Sequence, residues 1–139
     1  MSYLLDTDIL SLTHKKFLPA RLETWLAKNE ADCFISAVTV AEMRHGAEIA
    51  PENQREKLTA DVAATEMNFA EAIEPVNLAA LLEWKRIFAY LKGIKRTLAC
   101  EDTLIAAQCL AGGHTLATNN GKHFRLLEPI GLQIVNPLK

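Results

Sequence analysis

Ser2-Tyr3-Leu4-Leu5-Asp6-Thr7-Asp8-Ile9-Leu10 opens the chain with a short apolar run that stops at a polar turn. A run of this length, closed by Asp-Thr-Asp, predicts a first buried strand, Ser2 to Leu5, ending at Asp6. Ile9-Leu10 to about Leu12 then predicts the start of a short helix. Asp6 is thereby fixed at the carboxyl end of a strand, and the later strand and helix signals decide what kind of sheet that strand belongs to.

Downstream, strand and helix signals alternate. Pro19 suits a helix N-terminus, with Leu18, Leu22, Trp25 and Leu26 at helical spacing. Cys33-Phe34-Ile35 reads as a second strand, after which Ser36 and Thr39 both offer N-caps for a helix to about Ile49. Pro51 breaks the chain before an amphipathic helix from about Glu52 to Phe69, which either covers the sheet or leaves a groove for a partner helix. Ala72 to Val76 is a weaker third strand. Asn77 caps a helix running through Leu91 and ended by Gly93. Another helix opens near Glu101-Asp102 and closes at Gly112-Gly113. Thr115 to Thr118 is a fourth strand, Asn119-Asn120-Gly121 a turn, and Gln133 to Val135 a last short strand. Alternation of this kind predicts an α/β fold with a mainly parallel sheet of four to five short strands and helices on both faces. Trp25, Trp84 and Phe88 fall at core spacing in their helices, which predicts packing rather than base stacking.

The 139 residues suit one domain, 1–139, large enough to fold without a disulfide or structural metal. Cys33, Cys100 and Cys109 form no C-x-x-C pair and read as reduced thiols. The N-terminus has neither a basic segment nor a long apolar one, and no apolar run is long enough for a membrane span, so the expected compartment is the cytoplasm. Net charge is −2, so binding of nucleic acid by bulk charge alone is excluded. Attraction to RNA has to come from local basic patches or a metal.

In open parallel sheets, sites lie beyond the carboxyl ends of the strands. Three carboxylates are expected there. Asp6 follows the first strand, Glu42 falls in the first turn of the helix after the second, and Asp102 in the first turn of the helix before the fourth. Each also has a local explanation. Asp6 can cap the next helix, Thr39-Val40-Ala41-Glu42 fits a capping box, and Asp102 suits a helix dipole. If the three meet, their repulsion calls for a cation. Hard divalent ions take oxygen ligands, can polarise a phosphodiester and can lower the pKa of a water.

Three blocks resemble the motifs of PIN-domain nucleases: Tyr3 to Leu10, Ser36-Ala37-Val38-Thr39-Val40-Ala41-Glu42-Met43-Arg44-His45-Gly46, and Glu101-Asp102-Thr103-Leu104-Ile105-Ala106-Ala107. The chain is most similar to VapC-type toxins of bacterial toxin–antitoxin pairs, including their FitB-like branch. The likeness runs over nearly the whole chain, in order and at the family's spacing. It implies a PIN-like fold and a Mg²⁺- or Mn²⁺-dependent endoribonuclease that cuts by water attack, leaving a 5′-phosphate. Asp6, Glu42 and Asp102 match the family's acidic positions and would be its catalytic metal ligands. The resemblance further implies a cognate antitoxin that inserts across the cleft, a homodimer, and contact with operator DNA only through the antitoxin.

One motif departs. The family's last block usually reads T-R-N-x-x-D-F, and here it is Thr118-Asn119-Asn120-Gly121-Lys122-His123-Phe124. His123 stands where a fourth acid is usual, which favours one tightly held ion over two. Thr7, Asp8, Glu101, Thr118, Asn120 and His123 are accessory candidates. Thr118 is positioned to hydrogen-bond a carboxylate, and His123 to act near the scissile phosphate or to be a plain surface histidine. Arg44, expected near the mouth of the cleft, and Lys95 and Arg96, just before Asp102, are candidates for gripping RNA phosphates, with solvated surface charge as the other reading. Two rival functions stay open: a PIN-fold binding module that does not cut, and a Mg²⁺-binding phosphoacceptor signalling domain. The second usually has adjacent acids after its first strand, whereas here Thr7 separates Asp6 from Asp8.

Overall fold

The computed structural model describes residues 1–139. Five strands, β1 (Ser2–Leu5), β2 (Cys33–Ser36), β3 (Ile73–Glu74), β4 (His114–Ala117) and β5 (Ile134–Val135), form one sheet in the order β3-β2-β1-β4-β5. Every pairing is parallel. The order steps one way from β1 through β2 to β3 and the other way through β4 to β5. The carboxyl ends of β1 and β4 therefore flank the point where the connections diverge, which is where open α/β sheets form clefts.

Seven helices fill the connections: α1 (Thr7–Leu12), α2 (Ala20–Asn29), α3 (Ala37–Ile49), α4 (Glu52–Asn68), α5 (Leu78–Gly93), α6 (Cys100–Gly112) and α7 (Gly121–Phe124). The strand alternation divides the core between two faces. Leu4 and Leu116 point to one side, where they pack with Ile87 and Leu91 of α5, Ile105 and Cys109 of α6, and Phe124. Leu5, Ile35 and Ala117 point to the other, against Ile9 and Leu10 of α1, Leu22 of α2 and Val40 of α3. A sheet buried on both faces explains why the strands read as continuous apolar runs rather than alternating ones.

Local chemistry sets the helix ends. The Ser36 side chain accepts from the Val38 N–H, and Asn77 Oδ1 accepts from the Ala80 N–H at 2.9 Å. Gly113, at φ +70°, takes the left-handed conformation that closes α6 and returns its N–H to the Cys109 carbonyl. Pro75, which has no N–H to donate, comes directly after the two-residue β3.

The structure corrects two expectations and narrows a choice that the sequence left open. Because Ser36 rather than Thr39 caps α3, Glu42 lies in the second turn and the capping box is not formed. Thr39 is instead fully buried, its hydroxyl 3.2 Å from that of Thr7. The polar α4, with only Val62 and Thr65 buried, packs on α3 rather than over the sheet. Phe88 is 40% exposed, stacked edge-on against Trp84, whose indole N–H donates to Thr103 Oγ1 at 2.9 Å. No helix is long and apolar enough to cross a membrane.

Candidate active site

Asp6 leaves β1 with its N–H still bonded to the Ala117 carbonyl of β4 at 2.9 Å. Its backbone stays extended, and its side chain caps α1, Oδ1 accepting from the Thr7 N–H at 2.8 Å. The capping role and the site role coincide in one carboxylate. The other oxygen, Oδ2, accepts from the Thr118 hydroxyl at 2.8 Å. Thr118 is the residue after β4. It is completely buried, and its Oγ1 also accepts from the Asn120 N–H at 2.9 Å. Adjacent parallel strands thus deliver an acid and the hydroxyl that orients it.

Asp8, on the first turn of α1, reaches the same turn after β4, where its Oδ2 accepts from the Asn119 N–H at 3.0 Å. Its Oδ1 is buried and makes no well-formed hydrogen bond, the only such side-chain oxygen or nitrogen in the molecule, although the Ile9 N–H is near enough to the carboxyl to favour its charged form. Leaving a buried carboxylate oxygen unsatisfied is costly, so the position calls for a donor or a cation.

The acids register one another electrostatically. Burial, then Asp8 and more weakly Asp102, push Asp6 up to about 6, against the lowering effect of its bonds from Thr118 and Thr7. Burial and, last, Asp102 raise Asp8, against the lowering effect of the Asn119 and Ile9 N–H groups and the Thr118 hydroxyl. Glu42, though on the open side, is raised by partial burial and then by Glu101, Asp102 and Asp6. Carboxylates from α1, α3 and α6 and from the end of β1 therefore lie within electrostatic reach of one another. Asp102 Oδ2 lies 2.9 Å from His123 Nε2. His123 is half-exposed on α7, which is anchored by the fully buried Phe124. The histidine in the place of the fourth acid is thus no isolated surface residue, since it faces Asp102.

Not every candidate lies in the cleft. Arg44 turns to α4, where it forms a two-pronged ion pair with Glu66, its Nε 2.9 Å from Oε2. Lys95 takes a left-handed backbone, φ 57°, in the α5–α6 connection, and Arg96 next to it lines a cavity beside His123. Sequence reasoning missed Lys122, which lines that cavity too. Its signal was present, one position before His123. Cys100 is exposed at the start of α6, while Cys33 and Cys109 are buried.

The donor set suits a hard divalent cation: carboxylate oxygens that raise one another's pKa, one of them buried and without a well-formed hydrogen bond, and no lysine or arginine among them. In the side-chain positions seen here, no three Asp, Glu, His or Cys residues are arranged to hold an ion without adjustment.

The PIN domain model matches residues 3–128. The chain is 29% identical over 136 residues to the VapC ribonuclease Y4jK of Sinorhizobium fredii, covering 96% of this chain and 95% of that protein. It is 26% identical over 137 residues to the plasmid stability protein StbB of Pseudomonas syringae pv. tomato, covering 96% of each. Among solved structures it superposes on a chain of the FitAcB complex of Neisseria gonorrhoeae with TM-score 0.84 at 26% identity, covering 97% of both chains. A chain of the DNA-bound VapBC of Salmonella typhimurium gives TM-score 0.87 at 23% identity, covering 99% of this chain and 98% of that one. The motif resemblance, the parallel sheet and the place of the acids at its divergence point thus agree with the match over most of the chain: this protein belongs to the PIN domain family.

Proposed function

We propose that this chain is a Mg²⁺- or Mn²⁺-dependent endoribonuclease, the toxin of a toxin–antitoxin pair, acting in the cytoplasm. The observation that carries the reading is the electrostatic coupling of Asp6, Asp8, Glu42 and Asp102 around the β1/β4 divergence, with Asp8 Oδ1 buried and without a well-formed hydrogen bond. Asp6, Asp102 and Glu42 would hold the ion, with Asp8 and Glu101 close by. When bound, a divalent cation there supplies Lewis acidity toward a phosphodiester and offsets the charge built up as water attacks.

The chain's own groups do the rest. The Thr7 N–H and Thr118 hydroxyl hold Asp6 in one orientation, and the Asn120 N–H holds Thr118 in turn. This keeps both Asp6 oxygens aimed before substrate arrives, which is how side chains that orient ligands act on a metal site. His123 fixes Asp102 from the opposite wall. The Thr7–Thr39 contact locks the start of α1 against α3, and so sets Asp6 relative to Glu42.

The partner reading rests on the similar structures, which are toxin–antitoxin complexes, some with DNA. A cognate antitoxin would cover the cleft, and operator DNA would be reached through it. A homodimer is supported by exposed apolar side chains on α5, where Leu78, Leu82 and Phe88 are 71%, 63% and 40% exposed. His123 in place of an acid favours a second reading, a PIN module that binds without cutting. Purified, partner-free protein incubated with total cellular RNA separates the two. Discrete fragments with Mg²⁺ or Mn²⁺, abolished by EDTA, support the nuclease, and intact RNA at every metal concentration supports the module.

A further inference from the structure

Next to the acids lies a feature of opposite charge. A cavity of about 290 Å³ opens between the α5–α6 connection and the turn after β4, lined by Arg96, Asn120, Lys122 and His123 over Leu98 and Leu126. His123 forms the wall between this cavity and the acidic cleft, because its Nε2 also contacts Asp102. The two cations are free. Arg44, Lys57 and Arg86 pair with Glu66, Asp61 and Glu83, whereas neither Arg96 nor Lys122 has a carboxylate within ion-pair distance. Two unpaired cations, an amide and an imidazole around one cavity make an anion site, and the leucines offer a nonpolar surface of the kind a sugar or base covers.

Resting on the ribonuclease reading, we propose that this cavity is a phosphate subsite, in which Arg96 and Lys122 take an RNA backbone phosphate next to the scissile one. The charge balance requires such a device. The chain carries net −2 and its cleft is acidic, so an RNA strand is repelled from the site unless a neighbouring phosphate is held by local cations. Placed across the His123 wall from Asp102, the pair does this without neutralising the acids themselves. Phosphate contacts of this kind fix the register of the strand and read no sequence.

The test uses the full chain, an end-labelled single-stranded RNA oligonucleotide in EDTA, and a salt titration. Each cation on a single-strand phosphate contributes about 0.7 to the slope of log K against log salt. The double variant Arg96→Gln/Lys122→Gln is therefore expected to lower the slope by about 1.4 and to weaken binding about tenfold near 0.1 M salt. The pair Arg21→Gln/Lys28→Gln on α2 is expected to change neither. With Mg²⁺ or Mn²⁺, KM should rise in the first double variant with kcat within about twofold, the pattern of lost uniform binding. An unchanged slope, an equal fall in the α2 pair, or no RNA binding by the native chain overturns the subsite. If the native chain binds with the expected slope difference but cuts nothing, the subsite stands and the nuclease reading falls.

Discussion

Replacing Asp6 by asparagine should make the protein more stable, although it should abolish function. Asp6 is 7% exposed and shares its cleft with other acids, so its carboxyl is raised from the usual 3.8 to about 6. A group whose folded pKa lies above its unfolded one binds more protons when folded, so stability falls as pH rises between about 4 and 6. Above pH 6 the full penalty applies. A rise of this size corresponds to about 3 kcal/mol. That figure already includes the bonds from Thr118 and Thr7 to the charged form; asparagine keeps an oxygen for the Thr7 N–H but, relative to the protonated acid, loses a neutral hydrogen bond with Thr118, worth about 1–2 kcal/mol. The net expectation is a gain of about 1–2 kcal/mol at pH 7.5 in EDTA, shrinking toward zero or reversing by about pH 4. For a chain of this size that is roughly 3–8 °C in Tm. Urea or thermal unfolding of both proteins across pH 4–8 measures it. Added Mg²⁺ should narrow the gap, because the ion relieves in the native protein the repulsion that asparagine removes. A variant that is less stable at pH 7.5, by an amount independent of pH, would refute the claim that Asp6 is held under electrostatic strain.

Thr118→Val removes the hydroxyl that donates to Asp6 and accepts from Asn120, leaving the buried Asp6 carboxylate short of a partner and the exposed Asn120 N–H to water; unfolding should show a loss of about 1–3 kcal/mol. His123→Asp restores an acid beside Asp102, so it should raise Mg²⁺ affinity, read as a larger stabilisation by the ion in a thermal-shift titration. Of the three thiols, Cys33 is pushed up to about 12 and Cys109 is also pushed up by burial, whereas Cys100 is exposed. A thiol reagent at pH 8 should therefore titrate one cysteine quickly in the native protein and three after denaturation. Under the proposed dimer, Leu78→Lys with Leu82→Lys should shift the chain to monomer in sedimentation with little change in thermal stability of the fold, since these side chains are 71% and 63% exposed on α5.

The fold was largely legible because local and global signals agree. The apolar run ending at Asp6, the Asn77 cap and the paired glycines that close α6 each decide an element without reference to anything distant. Glu42 was misplaced by one turn because Ser36 and Thr39 both satisfy the capping rule. The choice between them depends on Thr7, more than thirty residues earlier, which engages Thr39 in the interior. The site was legible as a set of acids but not as a geometry. That Thr118 meets Asp6, or that His123 meets Asp102, depends on β4 lying beside β1, and nothing in the periodicity of either segment states that order. Arg44 shows the same limit in reverse. From sequence it stands two places from Glu42, yet the α3–α4 packing supplies Glu66 and draws it away.

The most direct test of the proposed chemistry is the rate of RNA cleavage by the native chain and by Asp6→Asn, purified side by side, freed of any partner and supplied with Mg²⁺ or Mn²⁺. Groups that merely orient a metal ligand are worth about 10–100-fold, so loss of the ligand itself should cost at least about a hundredfold. The predicted result is metal-dependent cutting by the native chain and a loss of that size in the variant, despite its greater stability. Equal cleavage by the two proteins would contradict it, because the acid at the end of β1 would then have no part in the chemistry.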